Sequence, residues 1–228
     1  MRSLLLLLPL LGACTVDHGL VRRTQKELER MAKNGRGQEG PPPPGTRVPV
    51  PWNKGQFAVW SVREGDWVTL THVQIEEADH EAVVVMITTL SPKIRTTSRL
   101  TFTRQPHTIA EAREYLTQII RRRGDERALT YRFHKDMHFE MRRALEPLWA
   151  TLVPEEVEGP PQTAQSPAAT MEGCRPAKGE FLHAPVGLEI EALLHPAVPI
   201  NGLVWARAKS GEVVELVESG WSGGGPAL

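Results

Sequence analysis

The chain has 228 residues and balanced charge, with 27 lysines and arginines against 27 aspartates and glutamates. Without a net positive charge, the composition argues against a nucleic-acid partner, and its ordinary apolar and charged content indicates a folded protein. No apolar run approaches the roughly 20 residues of a membrane-spanning helix. Two cysteines are too few for a disulfide scaffold.

The first residues read as an export signal. Arg2 precedes a short leucine-rich stretch, which is typical of signal peptides. The stretch ends in Leu11-Gly12-Ala13-Cys14, an aliphatic residue followed by two small residues and a cysteine. This segment resembles the lipobox of bacterial lipoproteins. The resemblance implies a lipoprotein signal peptide over residues 1–13, with Leu11, Gly12 and Ala13 recognised by the signal peptidase and Cys14 acylated.

The lipobox also implies a location. Two or three acyl chains on Cys14 anchor a protein stably where a single chain does not. Proteobacterial lipoproteins kept in the inner membrane usually carry aspartate after the cysteine, whereas this chain has Thr15. The resemblance therefore implies a lipid-anchored protein of the bacterial cell envelope, at the outer membrane. An ordinary signal peptide cut after Ala13 is the alternative.

Residues 14–51 are predicted to be a lipid-anchored tether. A short polar helix over residues 20–34 carries a thin apolar stripe, and an isolated helix of this length is marginal in water. The proline run 41–44 favours polyproline II geometry, which suits a stiff spacer. A ligand for a proline-binding module is the alternative role.

Residues 52–219 are predicted to form a single domain. Four β-prone runs joined by short turns, between residues 56 and 103, favour an antiparallel meander. In the last run Leu100 and Phe102 alternate with arginines and threonines, so one face of that strand is expected in solvent. Three more strands are expected over 187–194, 203–208 and 213–217, and the last two form a tight hairpin.

Two helices are expected between these groups of strands. Thr108 and Glu111 match a capping box, and apolar residues at helical spacing predict a helix that ends near residue 123. A second helix is predicted over 134–149. Residues 154–172 are expected to be a mobile loop and residues 220–228 a flexible glycine-rich tail.

This order of elements predicts an α+β fold. We expect a curved antiparallel sheet of about seven strands, open or curled into a half-barrel, with both helices on one face. The architecture is similar to the lipoprotein-carrier fold of the bacterial envelope in element order and compartment. In the last third of the chain, the segments from Cys174 to Phe181 and from His195 to Val204 resemble uncharacterised bacterial envelope proteins. Their prolines and glycines suit tight corners.

Residues with catalytic spacing are few. His134 and His138 lie one helical turn apart, as zinc ligands can, but Lys135 stands where a zinc protease carries its glutamate. The G-x-S-x-G match at residues 220–224 has no acid or histidine after it. We therefore expect a non-catalytic protein without a metal or cofactor. A metal-dependent hydrolase built on the two histidines is an alternative.

The expected function is binding of a lipid, a lipoprotein or another envelope partner. A concave apolar face could hold an acyl chain, although ordinary core packing explains the same residues; its candidate lining is Trp60, Trp67, Val85, Ile87, Leu100, Phe102 and Trp205. The alternative is an accessory or scaffold subunit of an envelope assembly. Its docking face would be an arginine cluster that includes Arg122, Arg123 and Arg143.

Overall fold

The computed structural model describes residues 18–35, 37–39, 45–132, 146–182 and 187–221. Two α-helices and a 3₁₀ helix accompany thirteen strands in this part of the chain. The helices are α1 (His18–Lys33), α2 (Ile109–Tyr115) and the 3₁₀ helix Glu146–Ala150. The strands are β1 (Gly37–Glu39), β2 (Phe57–Glu64), β3 (Trp67–Ala78), β4 (Val83–Leu90), β5 (Arg95–Phe102), β6 (Leu116–Arg123), β7 (Leu129–Arg132), β8 (Glu155–Glu156), β9 (Gln162–Gln165), β10 (Thr170–Leu182), β11 (Gly187–Leu194), β12 (Leu203–Ala208) and β13 (Val213–Gly220).

One large sheet organises the molecule. Its strand order is β7-β6-β5-β4-β3-β2-β13-β12-β11-β10-β8, and β1 and β9 pair with β13 and β10 at the sides. Every pairing is antiparallel except that of β1 with β13. The expected α+β class and antiparallel sheet are confirmed, but the expected number of about seven strands is too low. Among the described strands β7 and β8 do not pair with each other, so the sheet is open.

Segments from the two sides of the sheet come together over its inner face. Strands β5 and β10 stand seven positions apart, which is about 34 Å in a flat sheet at about 4.8 Å per strand. One short segment nevertheless touches both sides. The Val153 amide donates to the His107 carbonyl oxygen beyond β5, and two residues later Glu155 pairs with Lys178 of β10. The segment that follows β5 and strand β10 therefore meet across the inner face of the sheet.

The two faces of the sheet bury different sets of side chains. In β2 the alternation places Ala58 and Trp60 on the inner face. They belong to a buried cluster that extends across the sheet from β6, near one edge, to β10, near the other. Phe57 and Val59 point to the outer face, where α1 covers them with Leu28 and Ala32. A strand buried on both faces reads as a continuous apolar run. The predicted tether thus contributes a helix whose apolar side is buried against the sheet.

The predicted helix 109–123 is half correct. The capping box is confirmed, because the Glu111 amide donates to Thr108 Oγ1 at 3.2 Å and the Thr108 amide donates to the Glu111 carboxylate at 3.3 Å. The helix ends at Tyr115, however, and the next eight residues form β6 against β5. The open edge of β5 offers a full ladder of backbone hydrogen bonds, and pairing there buries Leu116 and Ile119.

Three further predictions concern the second helix, the mobile loop and the carboxy-terminal tail. The predicted helix 134–149 lies largely outside the described residues, and its last part forms the 3₁₀ helix. In the segment expected to be a mobile loop, the structure has β8, β9 and the start of β10. The tail beyond residue 221 is outside the described residues.

Candidate functional site

Five of the seven candidate lining residues lie in the inner cluster. Trp60, Val85, Ile87, Leu100 and Phe102 are each at most 1% exposed and belong to one contiguous set of buried side chains. The Trp60 indole also donates to the Leu203 carbonyl oxygen at 2.9 Å. The structure brings these five residues together as packed core.

The remaining two candidates lie elsewhere. Trp67 begins β3 and is 47% exposed, with the Lys93 ammonium 5.7 Å from its ring centroid. Trp205 is half-buried in β12 and is not part of the buried cluster. The seven residues therefore do not line one surface.

The backbone of the buried corner between β11 and β12 accepts hydrogen bonds from tryptophan side chains of three segments that are distant in sequence. Trp52 donates to the Ile200 carbonyl oxygen at 2.8 Å, and Trp221 donates to that of Ala197 at 3.0 Å. Together with the Trp60 bond next to it, they hold the segment that ends at Leu203. Ile200 has a φ of +74°, which is strained for a β-branched residue. Sequence reasoning placed a corner here and missed its tryptophan partners.

The strand registers place several turns at one end of the sheet. Glu64 pairs with Trp67, Leu90 with Arg95, and Arg123 with Thr96. Consequently the β2–β3, β4–β5 and β6–β7 turns all lie at the same end. Arg122 and Arg123 of the predicted docking face end β6 there and are exposed; Arg143 lies outside the described residues.

Helix α1 is fixed to the same end. The Gln25 side chain donates to the Asp66 carbonyl oxygen at 2.8 Å and accepts from the Val68 amide at 3.3 Å. From this point the helix runs along the outer face. A side chain at Gly35, just beyond the helix, would collide with the Val217 carbonyl oxygen. The amino-terminal turns of α1 therefore lie beside the β2–β3 turn.

We name this part of the molecule the basic end, after its exposed cations. Five exposed carboxylates lie among them, so positive charge is in excess locally although the chain as a whole is neutral. The carboxylates are Glu27, Glu64, Asp66, Asp125 and Glu126. The cations are Arg22, Arg23 and Lys26 of α1, with Lys93, Arg95, Arg122, Arg123 and Arg127 of the sheet.

The chemistry-bearing residues are scattered in the described ranges. No group of three or more histidine, cysteine or acidic side chains that could hold a metal ion occurs there; His134 and His138 lie outside them. Cys174 is fully buried, its thiol donates to the Met171 carbonyl oxygen at 3.3 Å, and burial raises the pKa of that thiol. A raised pKa disfavours the nucleophilic thiolate.

Comparisons with known proteins add little. No protein-family model and no curated protein matches the chain. A solved structure of a hypothetical protein from Chlamydia trachomatis is similar at 12% identity and a TM-score of 0.30, with 77% of this chain and 92% of that chain covered. Of the helices that the structure describes, none has the length and apolar character needed to span a bilayer.

Proposed function

We propose that this protein is a lipid-anchored, non-catalytic binding protein of the bacterial cell envelope, at the outer membrane. The observation that carries the proposal is the leucine-rich leader ending in Leu11-Gly12-Ala13-Cys14. Thr15 supports the outer membrane rather than the inner one. The packed α1 begins at His18, only four residues after the anchor, so the anchor leads almost directly into the folded domain.

Binding through the surface is better supported than carriage of an acyl chain inside a curved sheet. The five inner candidates for a lining are occupied by contacts with one another and with neighbouring core residues. A half-barrel carrier would instead need an apolar concave face left open for its ligand. We therefore assign binding to the basic end, with an anionic envelope component as the partner. Arg122 and Arg123 supply part of its charge.

Anchoring is tested by the mass of the amino-terminal peptide from purified membranes. The native chain should begin at Cys14 and carry diacylglycerol, and Cys14→Ser should abolish the acylated peptide because its hydroxyl replaces the thiol that accepts the lipid. Cys174→Ala is the matched control and should be acylated as the native chain is. A native chain without acyl groups would refute the anchor.

Surface binding is tested on a sulfonate resin near neutral pH. Without Arg2 of the leader, the chain from Cys14 has 26 lysines and arginines against 27 aspartates and glutamates. Such a protein is retained on the resin only through a local excess of cations, so the native chain should bind and elute with salt. Arg122→Glu with Arg123→Glu should elute much earlier. The control pair, Arg113→Glu with Arg175→Glu, makes the same change in charge away from the basic end. Equal losses of retention in both pairs would rule out the basic end as the binding surface.

A further inference from the structure

The length of chain between the anchor and the sheet limits where the domain can stand. Gln25 is bound to the β2–β3 turn, and seven residues of helix back to His18 rise about 10 Å. Four more residues to Cys14 span at most about 14 Å when fully extended. A lipid on Cys14 would therefore hold the basic end within about 25 Å of the membrane surface.

One of two large apolar residues exposed in the described part of the chain, Trp67, lies at this same end. The two large apolar side chains that are exposed in the described ranges are Trp67, at 47%, and Leu129, at 57%. Trp67 begins β3 and Leu129 begins β7 at the β6–β7 turn. The strand registers place Leu129 level with Val73, six residues from Trp67 along β3, so about 20 Å along the strands and about 19 Å across them separate the two residues. A tryptophan with a lysine over its ring suits the boundary between headgroups and acyl chains.

The opposite end of the sheet has a different character. The β3–β4 turn carries Asp79 and Glu81, and Glu77 precedes them at the end of β3; all three side chains are exposed. Exposed Lys54 and Arg104 also lie at this end, so its charge is mixed, whereas the basic end has an excess of cations that anionic headgroups attract. The charge distribution therefore favours one orientation of the domain on an anionic membrane.

We propose that the basic end lies directly on the membrane that carries the anchor, with Trp67 at headgroup depth and the surrounding cations on anionic lipid headgroups. This inference rests on the proposed function, because it names the partner of that same surface. A lipid surface fits better than one small anion or an acidic protein, because the exposed Trp67 suits headgroup depth and the anchor brings the bilayer to this end. The anchor and the basic end together provide two separate membrane contacts.

The test places a nitroxide label on the full chain at either end of the sheet. Asp125→Cys lies in the β6–β7 turn and Glu81→Cys in the β3–β4 turn, so both labels replace an exposed carboxylate in a turn. Native Cys174 is buried. Collision of each label with oxygen and with a water-soluble nickel chelate is measured in native membranes and in vesicles of phosphatidylethanolamine and phosphatidylglycerol. The mass of the amino-terminal peptide is measured in the same samples.

We expect the ratio of oxygen to nickel collisions to be about threefold or more higher at position 125 than at position 81. Arg123→Glu with Arg127→Glu should reduce this difference, whereas Arg113→Glu with Arg175→Glu should leave it unchanged. Phosphatidylcholine vesicles should give a smaller difference, because they lack anionic headgroups.

Three outcomes would overturn the inference. Equal exposure to water at both positions on an acylated chain would show a domain that stands off the membrane, while the anchor remains correct. Protection of position 125 in native membranes but not in vesicles would show a protein partner there. A peptide mass without acyl groups would refute the anchor. If the labels on such an unacylated chain also stay accessible to nickel after vesicles are added, the membrane contact of the basic end would be refuted as well.

Discussion

The two faces of β2, β3 and β13 are covered in different ways. The inner face packs into a cluster that extends across the sheet from β6, near one edge, to β10, near the other. The outer face is covered by α1, whose buried contribution is Leu28 and Ala32. Apolar burial scales with area, so the inner contacts hold the whole sheet together and the outer contacts hold one helix. The helix on the weaker face is also the one that leads to the proposed anchor.

Trp60→Ala tests the inner face and should have the largest effect. Trp60 is fully buried, contacts Trp149 edge-to-face and donates to the Leu203 carbonyl oxygen. Its truncation should lower the free energy of unfolding by about 3–5 kcal/mol in urea denaturation. Trp67→Ala is the control, and its loss should stay within about 0.5–1 kcal/mol because Trp67 is half exposed. Similar losses in both variants would contradict the assignment of stability to the inner face.

His72 gives the outer face a pH dependence of intermediate size. Its ring is buried beside Phe57, its Nε2 has no hydrogen-bond partner within the described residues, and burial lowers its pKa from 6.5 to about 4. The folded state therefore keeps His72 neutral while the unfolded state takes up a proton below about pH 6.5. Stability is fully present above that pH and declines as the pH falls towards 4.

The expected loss between about pH 7 and about pH 5 is about 2 kcal/mol. Urea denaturation of the native chain and of His72→Gln at both pH values measures it, and the variant should lose most of this slope. Burial also lowers the pKa of His195, which contributes in the same direction and is retained in the variant. An unchanged slope in His72→Gln would show that His72 is not the source.

The sequence predicts the meander well because its signals are local. Strict alternation in Arg95–Phe102 leaves Arg95 and Arg99 on one face and Leu100 and Phe102 on the other, and burial confirms it. The apolar spacing of Leu116–Arg123 fits 3.6 residues per turn and therefore predicts a helix. Only the open edge of β5, which is formed by residues distant in sequence, decides in favour of a strand.

The outer cluster and the basic end were missed for a related reason. Phe57–Val62 is apolar without alternation, and this is the signal of a strand covered on both faces. With β6 assigned to a helix, the arginines at its end were not placed in the sheet beside the turn that holds Trp67. The pairing registers of the strands place these arginines and the Trp67 turn at one end of the sheet. A register depends on the whole sheet rather than on any one segment of the sequence.

Gln25→Ala tests the contact of α1 with the outer face and should have the smallest effect on stability. The substitution removes two hydrogen bonds between α1 and the β2–β3 turn, at 2.8 and 3.3 Å, each of which contributes about 0.5–1.5 kcal/mol. The outer cluster remains, so α1 should open more often without detaching. Hydrogen exchange of α1 amides should accelerate by about fivefold, corresponding to about 1 kcal/mol, while amides of β4 and β5 keep the native rate.

Lys26→Ala is the matched control for this experiment, because Lys26 is exposed on the same helix. Its α1 amides should exchange at nearly the native rate. Acceleration spread evenly over α1, β4 and β5 in Gln25→Ala would mean that the two faces unfold as one unit. Acceleration confined to α1 would mean that the helix next to the proposed anchor can open while the inner cluster stays closed. In that case the domain would have two attachments to the membrane under our proposal. The lipid acts through α1, and Trp67 and the cations of the β-turns act through the sheet itself, so opening of α1 would not release the sheet.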